Sequence, residues 1–261
     1  MDVKSADGTT IAYDQTGSGP AVVLVQGGFS DRTHPIWAGL AAALSGEFTV
    51  FNYDRRGRGG SSDNESYEVE REIEDLAAII TAAGGSAAVF GGSSGGALAL
   101  RAAAAGLPIT KLAVYEPPFI VDDSRPPIVE DFREQLAALV AEGKRGEVVE
   151  RFMVEAAEMP AEMVGQMKES PYWEGMTAVA HTLVYEAAVC GPGNQLPVEE
   201  LKKITVPTLA LAGGASGPWM QGAAKAVAET VPGGEYKVLE GHGHDIAPEA
   251  LAPPVAEYFR A

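Results

Sequence analysis

The chain has 261 residues, of which 46% are hydrophobic, 21% are charged and 7% are aromatic, a balance that excludes a disordered chain and fits one large α/β domain. The formal net charge is −17, which repels phosphate backbones and anionic lipid, so neither nucleic acid nor a membrane surface is an expected partner. The single cysteine, Cys190, excludes an internal disulfide framework and a multi-cysteine metal site.

The first residues, MDVKSADGTT, are polar and lack the apolar stretch of a signal peptide. No apolar run reaches the roughly 18 residues that a membrane-spanning helix needs. We therefore expect a cytoplasmic protein.

The first 120 residues alternate apolar runs with helix-like stretches. Residues 3–17 alternate in polarity around an Asp7-Gly8 turn signal, which predicts an antiparallel hairpin at a sheet edge. Buried strands are predicted at 21–25, 48–53, 87–90 and 111–115. Apolar residues at helical spacing over 69–80 and small residues over 95–105 predict helices between them. This alternation indicates βαβ units, and hence a mostly parallel central sheet flanked by helices.

The pattern changes between about Pro117 and Pro197, where strand signals disappear. Helices are predicted near 128–142, 144–157, 160–168 and 172–189. Five of the seven methionines lie in this segment, together with six basic and fourteen acidic side chains. Strands are predicted again at 204–212 and 236–239, with helices near 219–230 and 248–260. We therefore predict an α/β core of residues 1–119 and 200–261 and a helical cap of residues 120–199.

The strongest chemical signal is the run Gly91-Gly92-Ser93-Ser94-Gly95-Gly96 between a predicted strand and a small-residue helix. This is the context of a G-x-S-x-G nucleophile elbow, and either serine fits the pattern. We favour Ser93, because that frame leaves two glycines after the following residue and lets the helix pack on the sheet from its first turn. A phosphate-binding loop is the alternative, but the Walker lysine and the G-x-G-x-x-G spacing are both absent.

Four landmarks in chain order resemble the α/β-hydrolase fold superfamily, over nearly the whole chain. They are Gln26-Gly27-Gly28 as the oxyanion loop, residues 54–62 (DRRGRGGSS) as the D-x-R-G-x-G-x-S loop, the serine elbow, and residues 241–245 (GHGHD) as the loop of the catalytic histidine. The resemblance implies an oxyanion hole formed by the backbone N–H groups of Gly28 and Ser94, with Gln26 in place of the usual histidine. It also implies that the arginine-rich loop is structural and ties neighbouring loops together.

The resemblance implies a base in the loop after the last strand. His244 fits that position best and His242 is the alternative. His34 follows the oxyanion loop and is either a pocket residue or exposed, and His181 is expected in the cap.

The position of the catalytic acid departs from the family pattern. Ser216 stands where the family usually has an aspartate, and no Asp or Glu occurs between Thr205 and Gln221. Some family members carry the acid after the strand that follows the nucleophile's helix, which here is the position of Glu116. A solvated strand-end glutamate is the competing interpretation. Weaker candidates for the acid are Asp122, Asp123 and Asp245.

These residues predict a serine hydrolase that acts on an ester, lactone or thioester with an apolar portion, without a metal or organic cofactor. The expected catalytic residues are Ser93, His244 and Glu116, and the expected substrate contacts are Met153, Trp173 and Trp219. The methionine spacing is also that of an ordinary apolar core stripe, which is the more common origin of such a pattern. Two other functions remain open: a non-hydrolytic lyase or cyclase that uses His244 as acid and base, and a ligand-binding protein whose triad is degraded at Ser216.

Overall fold

The computed structural model describes residues 1–64 and 66–261. Its strands are β1 Asp2–Lys4, β2 Thr10–Thr16, β3 Ala21–Val25, β4 Thr49–Tyr53, β5 Ala87–Gly92, β6 Ile109–Tyr115, β7 Thr208–Gly213 and β8 Glu235–Leu239. They form one eight-stranded sheet in the order β1-β2-β4-β3-β5-β6-β7-β8. Strand β2 pairs antiparallel with β1 and β4, and the remaining neighbours are parallel.

The helices of the core are α1 Pro35–Leu44, α2 Val69–Ala82, α3 Ser94–Ala104, α10 Pro218–Thr230 and α11 Pro248–Arg260. Between β6 and β7 lie α4 Phe132–Ala141, α5 Arg145–Arg151, α6 Ala161–Met167, α7 Tyr172–Ala178, α8 Leu183–Cys190 and α9 Val198–Leu201. A π-helix spans Phe152–Ala156, and 3-10 turns span Ala180–Thr182 and Pro192–Asn194. No helix in the described part of the chain is long and apolar enough to cross a bilayer.

The predicted fold class is confirmed. The expected hairpin is formed by β1 and β2, with Asp2 opposite Ala12 and Gly8 at a φ of +87° in the turn. The strand prediction over 204–212 is wrong at its first four residues. Pro207 has no N–H to donate to a neighbouring strand, and the N–H of Ile204 donates instead to the carbonyl of Leu201.

The central strands are apolar throughout because both faces of the sheet are covered. Along β3, Val23 and Val25 pack into the cluster that contains α2, α3 and α10, whereas Val22 and Leu24 pack against α1 and α11. Because successive side chains point to opposite faces of the sheet, this one apolar run contributes to both hydrophobic cores. The carboxyl ends of β5 and β6 lead directly into Ser93 and Glu116.

The segment between β6 and β7 has a small hydrophobic core of its own. It includes Phe132, Leu136, Val149, Val164 and Leu183. Two predicted helices are broken in the structure. The helix expected over 144–157 becomes a π-helix after Arg151, and the helix expected over 172–189 is interrupted by the 3-10 turn at 180–182. The division into core and cap at residues 120 and 199 stays a prediction, and "cap" below denotes residues 120–199.

Candidate active site

Ser93 occupies the sharp turn between β5 and α3. Its φ of 54° and ψ of −132° lie in a region that costs an L-residue free energy, so the surrounding structure must hold it there. The N–H of Ser93 donates to the carbonyl of Tyr115 at 2.8 Å, which extends the pairing of β5 with β6 by one residue. Ser94 is the first residue of α3 and is buried. The turn geometry therefore belongs to Ser93 and not to Ser94.

The glycines two residues before and after Ser93 explain why the turn is possible. A Cβ on Gly91 would lie 2.6 Å from the carbonyl oxygen of Gly95, and a Cβ on Gly95 would lie 2.3 Å from that of Val25. The corresponding closest contacts at Gly92 and Gly96 are longer, at 3.0 and 3.1 Å. The strict requirement for glycine thus falls at positions −2 and +2 of Ser93.

We expect Gly95→Ala to lower the free energy of unfolding by about 1–3 kcal/mol or more, because the added methyl group meets backbone atoms that have no room to move. Gly175→Ala is the matched control, since a Cβ on this helical glycine would meet nothing within 4 Å. That change should raise the free energy of unfolding by about 0.5–1 kcal/mol. Urea unfolding of the two variants measures the difference. Equal stabilities would contradict the packing described for the elbow.

Glu116 lies directly after β6, is fully buried and has a φ of 46°. One carboxylate oxygen, Oε1, accepts the N–H of Gly213 at 2.8 Å, and the other, Oε2, lies 2.6 Å from Nδ1 of His244. The ring of His244 is 36% exposed. A carboxylate accepts only, so Nδ1 carries the hydrogen and Nε2 is left as the acceptor. The structure therefore brings together the histidine and the glutamate that the sequence singled out.

Tyr115 supports the loop that carries His244. Its ring lies 6.4 Å from the imidazole ring, and its hydroxyl donates to the carbonyl of Gly243 at 2.5 Å. Burial, followed by the negative charges of Glu116 and Asp245, raises the pKa of Tyr115. The phenol therefore stays protonated and keeps this donor.

The other candidate acids and histidines have different surroundings. The buried hydroxyl of Ser216 has no partner among residues 1–64 and 66–261, and Asp122, Asp123 and Asp245 are exposed. His242 contributes its backbone, since its carbonyl accepts the N–H of Ala215 at 2.9 Å. His181 lies 3.3 Å from Asp63, and His34 precedes α1.

The oxyanion loop passes directly over the elbow. A Cβ on Gly27 would lie 3.0 Å from Cβ of Ser93 and 3.6 Å from its Oγ. Within the described residues, the backbone N–H groups of Gly28 and Ser94 donate to no acceptor. Ser94 is buried and Gly28 is partly buried, so two N–H groups without an acceptor beside one serine fit the predicted anion-binding hole.

A buried cluster of two arginines and two glutamates lies behind the oxyanion loop. We call Arg55, Arg58, Glu72 and Glu186 the Arg-Glu cluster; all four are at most 3% exposed. Arg55 forms a fork with Glu72 at 2.6 and 2.7 Å, and Glu186 contacts both arginines. Burial by itself would raise the pKa of the Glu72 carboxyl. The positive charge of Arg55 outweighs this effect, so the pKa is lowered overall. The arginine-rich loop thus ties neighbouring segments together, as expected.

The three predicted substrate contacts occupy different surroundings. Met153 is buried in the hydrophobic core of the cap, and Trp173 packs beside that core with the ammonium group of Lys168 6.0 Å from its ring. Trp219 is the second residue of α10, and its ring centre lies 4.7 Å from the guanidinium group of Arg125. Their roles in binding substrate stay predictions.

Sequence reasoning missed the aromatic residues next to the oxyanion loop. The Phe152 ring lies 3.9 Å from the position that a Cβ on Gly28 would take, and it meets Phe29 edge-on with ring centres 5.8 Å apart. Phe29 directly follows the oxyanion loop in sequence, and that adjacency is a signal that could have found it. Phe152 lies in the π-helix, whose register no periodic pattern indicates.

The described residues contain no group of three or more His, Cys, Asp or Glu side chains arranged to hold a metal ion. The candidate site combines a serine at a strained turn, a histidine held by a buried carboxylate, and two backbone N–H groups without an acceptor in the described part of the chain.

Comparisons with known proteins identify chains of similar fold. An alpha/beta hydrolase from Sphaerobacter thermophilus DSM 20745 has 53% sequence identity and a TM-score of 0.92, over 99% of this chain and 100% of that chain. A malate-bound thermophilic esterase from Thermogutta terrifontis has 25% identity and a TM-score of 0.66, over 100% and 97%. An enol-lactonase from Burkholderia xenovorans LB400 shares the fold, with 20% identity and a TM-score of 0.69 over 100% of both chains.

No curated protein matches the sequence significantly. The profile described as the alpha/beta hydrolase family matches residues 22–257, which is most of the chain. The protein therefore belongs to the alpha/beta hydrolase family.

Proposed function

We propose that this protein is a serine hydrolase that cleaves small esters or lactones with an apolar portion through an acyl-enzyme. The observation that carries the proposal is the 2.6 Å contact between His244 Nδ1 and the fully buried carboxylate of Glu116. A carboxylate on Nδ1 fixes the tautomer in which Nε2 accepts the proton of a serine hydroxyl. The strained turn supplies that serine. Ser93 follows β5, which pairs with β6, the strand before Glu116.

The reaction proceeds in two halves. Nε2 of His244 takes the proton of Ser93 Oγ as the oxygen attacks the substrate carbonyl, and the N–H groups of Gly28 and Ser94 receive the oxyanion. His244 then protonates the leaving alcohol, and the acyl group stays on Ser93. Water, deprotonated by His244, attacks the acyl-enzyme, and His244 passes that proton to Ser93 Oγ as the acid leaves. Glu116 stays ionised throughout and stabilises the imidazolium.

Reactivity toward a fluorophosphonate probe tests the proposal, because only a serine activated by a base reacts quickly. We expect rapid labelling of the wild-type protein at Ser93. A chromogenic ester panel then separates hydrolysis from a lyase or cyclase reaction that uses the same residues. A wild-type protein that neither reacts with the probe nor cleaves any ester would refute the proposal.

The surroundings of the site favour a neutral, apolar substrate. Phe29 and Phe152 lie beside the oxyanion loop, and residues 117–197 carry eight more negative than positive charges. An acidic cap disfavours polyanionic substrates at short range, although salt screens the effect beyond about 8 Å. The esterase and the enol-lactonase that share this fold point to the same bond types.

We expect kcat/KM for neutral p-nitrophenyl esters of medium chain length to exceed that for the matching acyl-CoA thioesters by roughly tenfold or more at low ionic strength. Raising the salt concentration should narrow the difference, because it screens repulsion between the cap and the phosphates. Steady-state kinetics on both series at two salt concentrations measure this. A clear preference for the thioesters would overturn the predicted substrate class.

A further inference from the structure

The oxyanion loop is held from behind by two buried guanidinium groups. Nη1 of Arg55 donates to the carbonyl of Gln26 at 3.1 Å, and Nη1 of Arg58 donates to the carbonyl of Gly27 at 2.7 Å. In a trans peptide the C=O and the following N–H lie in one plane and point in opposite directions. The bond from Arg58 to Gly27 therefore also sets the direction of the N–H of Gly28, the proposed oxyanion donor.

Both guanidinium groups bind one carboxylate that comes from the cap. Glu186 lies on α8, and each of its oxygens is 2.9 Å from Nη1 of Arg55. It also accepts a short hydrogen bond from Nη2 of Arg58, whose Nε donates to Thr182 Oγ1 at 3.1 Å. A Cβ on Gly28 would lie 3.7 Å from Cγ of Glu186. The cap carboxylate thus sits directly against the oxyanion loop.

Charge balance explains why Glu186 matters for geometry. The Arg-Glu cluster contains two positive and two negative groups, all buried, and Glu72 is already engaged by the fork of Arg55. Without Glu186 the cluster would hold two cations against one anion in surroundings of low dielectric constant. The two arginines would then repel each other, and Arg58 would shift from the carbonyl of Gly27.

We propose that Glu186 is a positioning residue through which the cap sets the direction of the Gly28 N–H and so preorganises the oxyanion hole. This inference rests on the proposed serine mechanism and adds to it a link between cap docking and catalysis. Oxyanion stabilisation acts mainly in the transition state, so its loss lowers kcat more than it changes KM.

The test compares kcat, KM and inhibitor affinity in Glu186→Gln. We expect kcat on a p-nitrophenyl ester to fall roughly ten- to a hundredfold, somewhat less than for outright removal of an oxyanion donor. KM should stay within about threefold. Affinity for an alkyl trifluoromethyl ketone, whose serine adduct carries an oxyanion, should fall by the same factor as kcat. Affinity for the corresponding methylene analogue, which forms no adduct, should not change. A purely structural role would not separate the two inhibitors.

Asp75→Asn is the matched control. Asp75 forms an equally buried fork, at 2.7 and 2.8 Å, with Arg56 of the same arginine-rich loop. Among the described residues, neither forms a hydrogen bond or an ion pair with residues 26–28. We expect Asp75→Asn to lower the melting temperature and leave kcat within about threefold of the wild-type value. An equal loss of kcat in Asp75→Asn would overturn the inference.

A charge-balanced double variant keeps the inference testable if Glu186→Gln does not fold. Arg58→Met with Glu186→Gln leaves Arg55 paired with Glu72 and removes the donor to Gly27. We expect this variant to fold and to lose kcat and ketone affinity together. Wild-type kcat in either folded variant would refute the role of Glu186.

The wild-type protein separates this inference from the proposed function. Absence of fluorophosphonate labelling and of ester cleavage in the wild type would refute both. Labelling that is lost in Ser93→Ala but unchanged in the folded Glu186 variants would refute the inference alone.

Discussion

Ser93→Ala is expected to lower kcat for ester hydrolysis roughly a millionfold, while the melting temperature stays close to that of the wild type. The hydroxyl is the proposed attacking atom, and the side chain is half-buried at a turn whose strain lies in the backbone. Alanine retains the Cβ, so the backbone strain of the turn is the same as with serine. Burst-phase and steady-state kinetics on a p-nitrophenyl ester measure the loss, and circular dichroism checks the fold.

Matched variants of neighbouring residues sharpen that test. Ser94→Ala should retain most activity, because Ser94 contributes its backbone N–H and not its hydroxyl. His244→Ala should be about as severe as Ser93→Ala, since the two residues act as one unit. His242→Ala should lower kcat only slightly, because the hydrogen bond from Ala215 goes to the backbone carbonyl of His242, which the change retains. Near-normal turnover in Ser93→Ala with loss in Ser94→Ala would assign the nucleophile to the other frame.

Glu116→Gln is expected to lower kcat roughly ten-thousandfold, which is the effect of converting a triad aspartate to its amide. The amide can keep its oxygen on the N–H of Gly213, which leaves its NH₂ group facing Nδ1 of His244. Two donors cannot share a hydrogen bond, so the imidazole must place its hydrogen on Nε2 and no longer accepts the proton of Ser93. The buried volume and the bond to β7 are retained, so the fold should survive.

Thermal unfolding of Glu116→Gln shows whether the fold is retained. The pH dependence of its kcat then shows whether the loss of activity comes from the wrong tautomer of His244. Ser216→Ala is the control at the position where the family usually has its acid. It should leave kcat unchanged, because the Ser216 hydroxyl has no partner among the described residues. Activity of Glu116→Gln within a few-fold of the wild type would indicate a Ser-His dyad or a different acid.

The sheet was predictable because its strands are short apolar runs buried on both faces. Strand β3 begins and ends where the run AVVLV does, and Gly8 marks the hairpin turn. The cap was less predictable in detail. Its helices pack on one another in a small separate core, so local context decides whether Phe152–Ala156 continues an α-helix or becomes a π-helix. Apolar spacing carries no signal for that choice.

The placement of the predicted serine and glutamate at one edge of the sheet followed from topology alone. Glu116 directly follows β6, which is adjacent and parallel to β5, the strand before Ser93, so both residues lie at the same edge of the sheet. The role of Glu186 did not follow, because its partners Arg55 and Arg58 are about 130 residues away in sequence. No local pattern reports a pairing over that distance. The aromatic contact of Phe29 with Phe152 escaped prediction for the same reason.

The chain order of the proposed catalytic residues bears on biosynthesis. Ser93 and Glu116 bracket a single βαβ unit, β5-α3-β6, whereas His244 lies in the loop before the last helix, close to the C-terminus. Proteins emerge from the ribosome N-terminus first. A nascent chain therefore carries its serine long before it carries the base that activates it. Under the proposed mechanism, Ser93 therefore stays an ordinary alcohol until the last strand and its loop have been made.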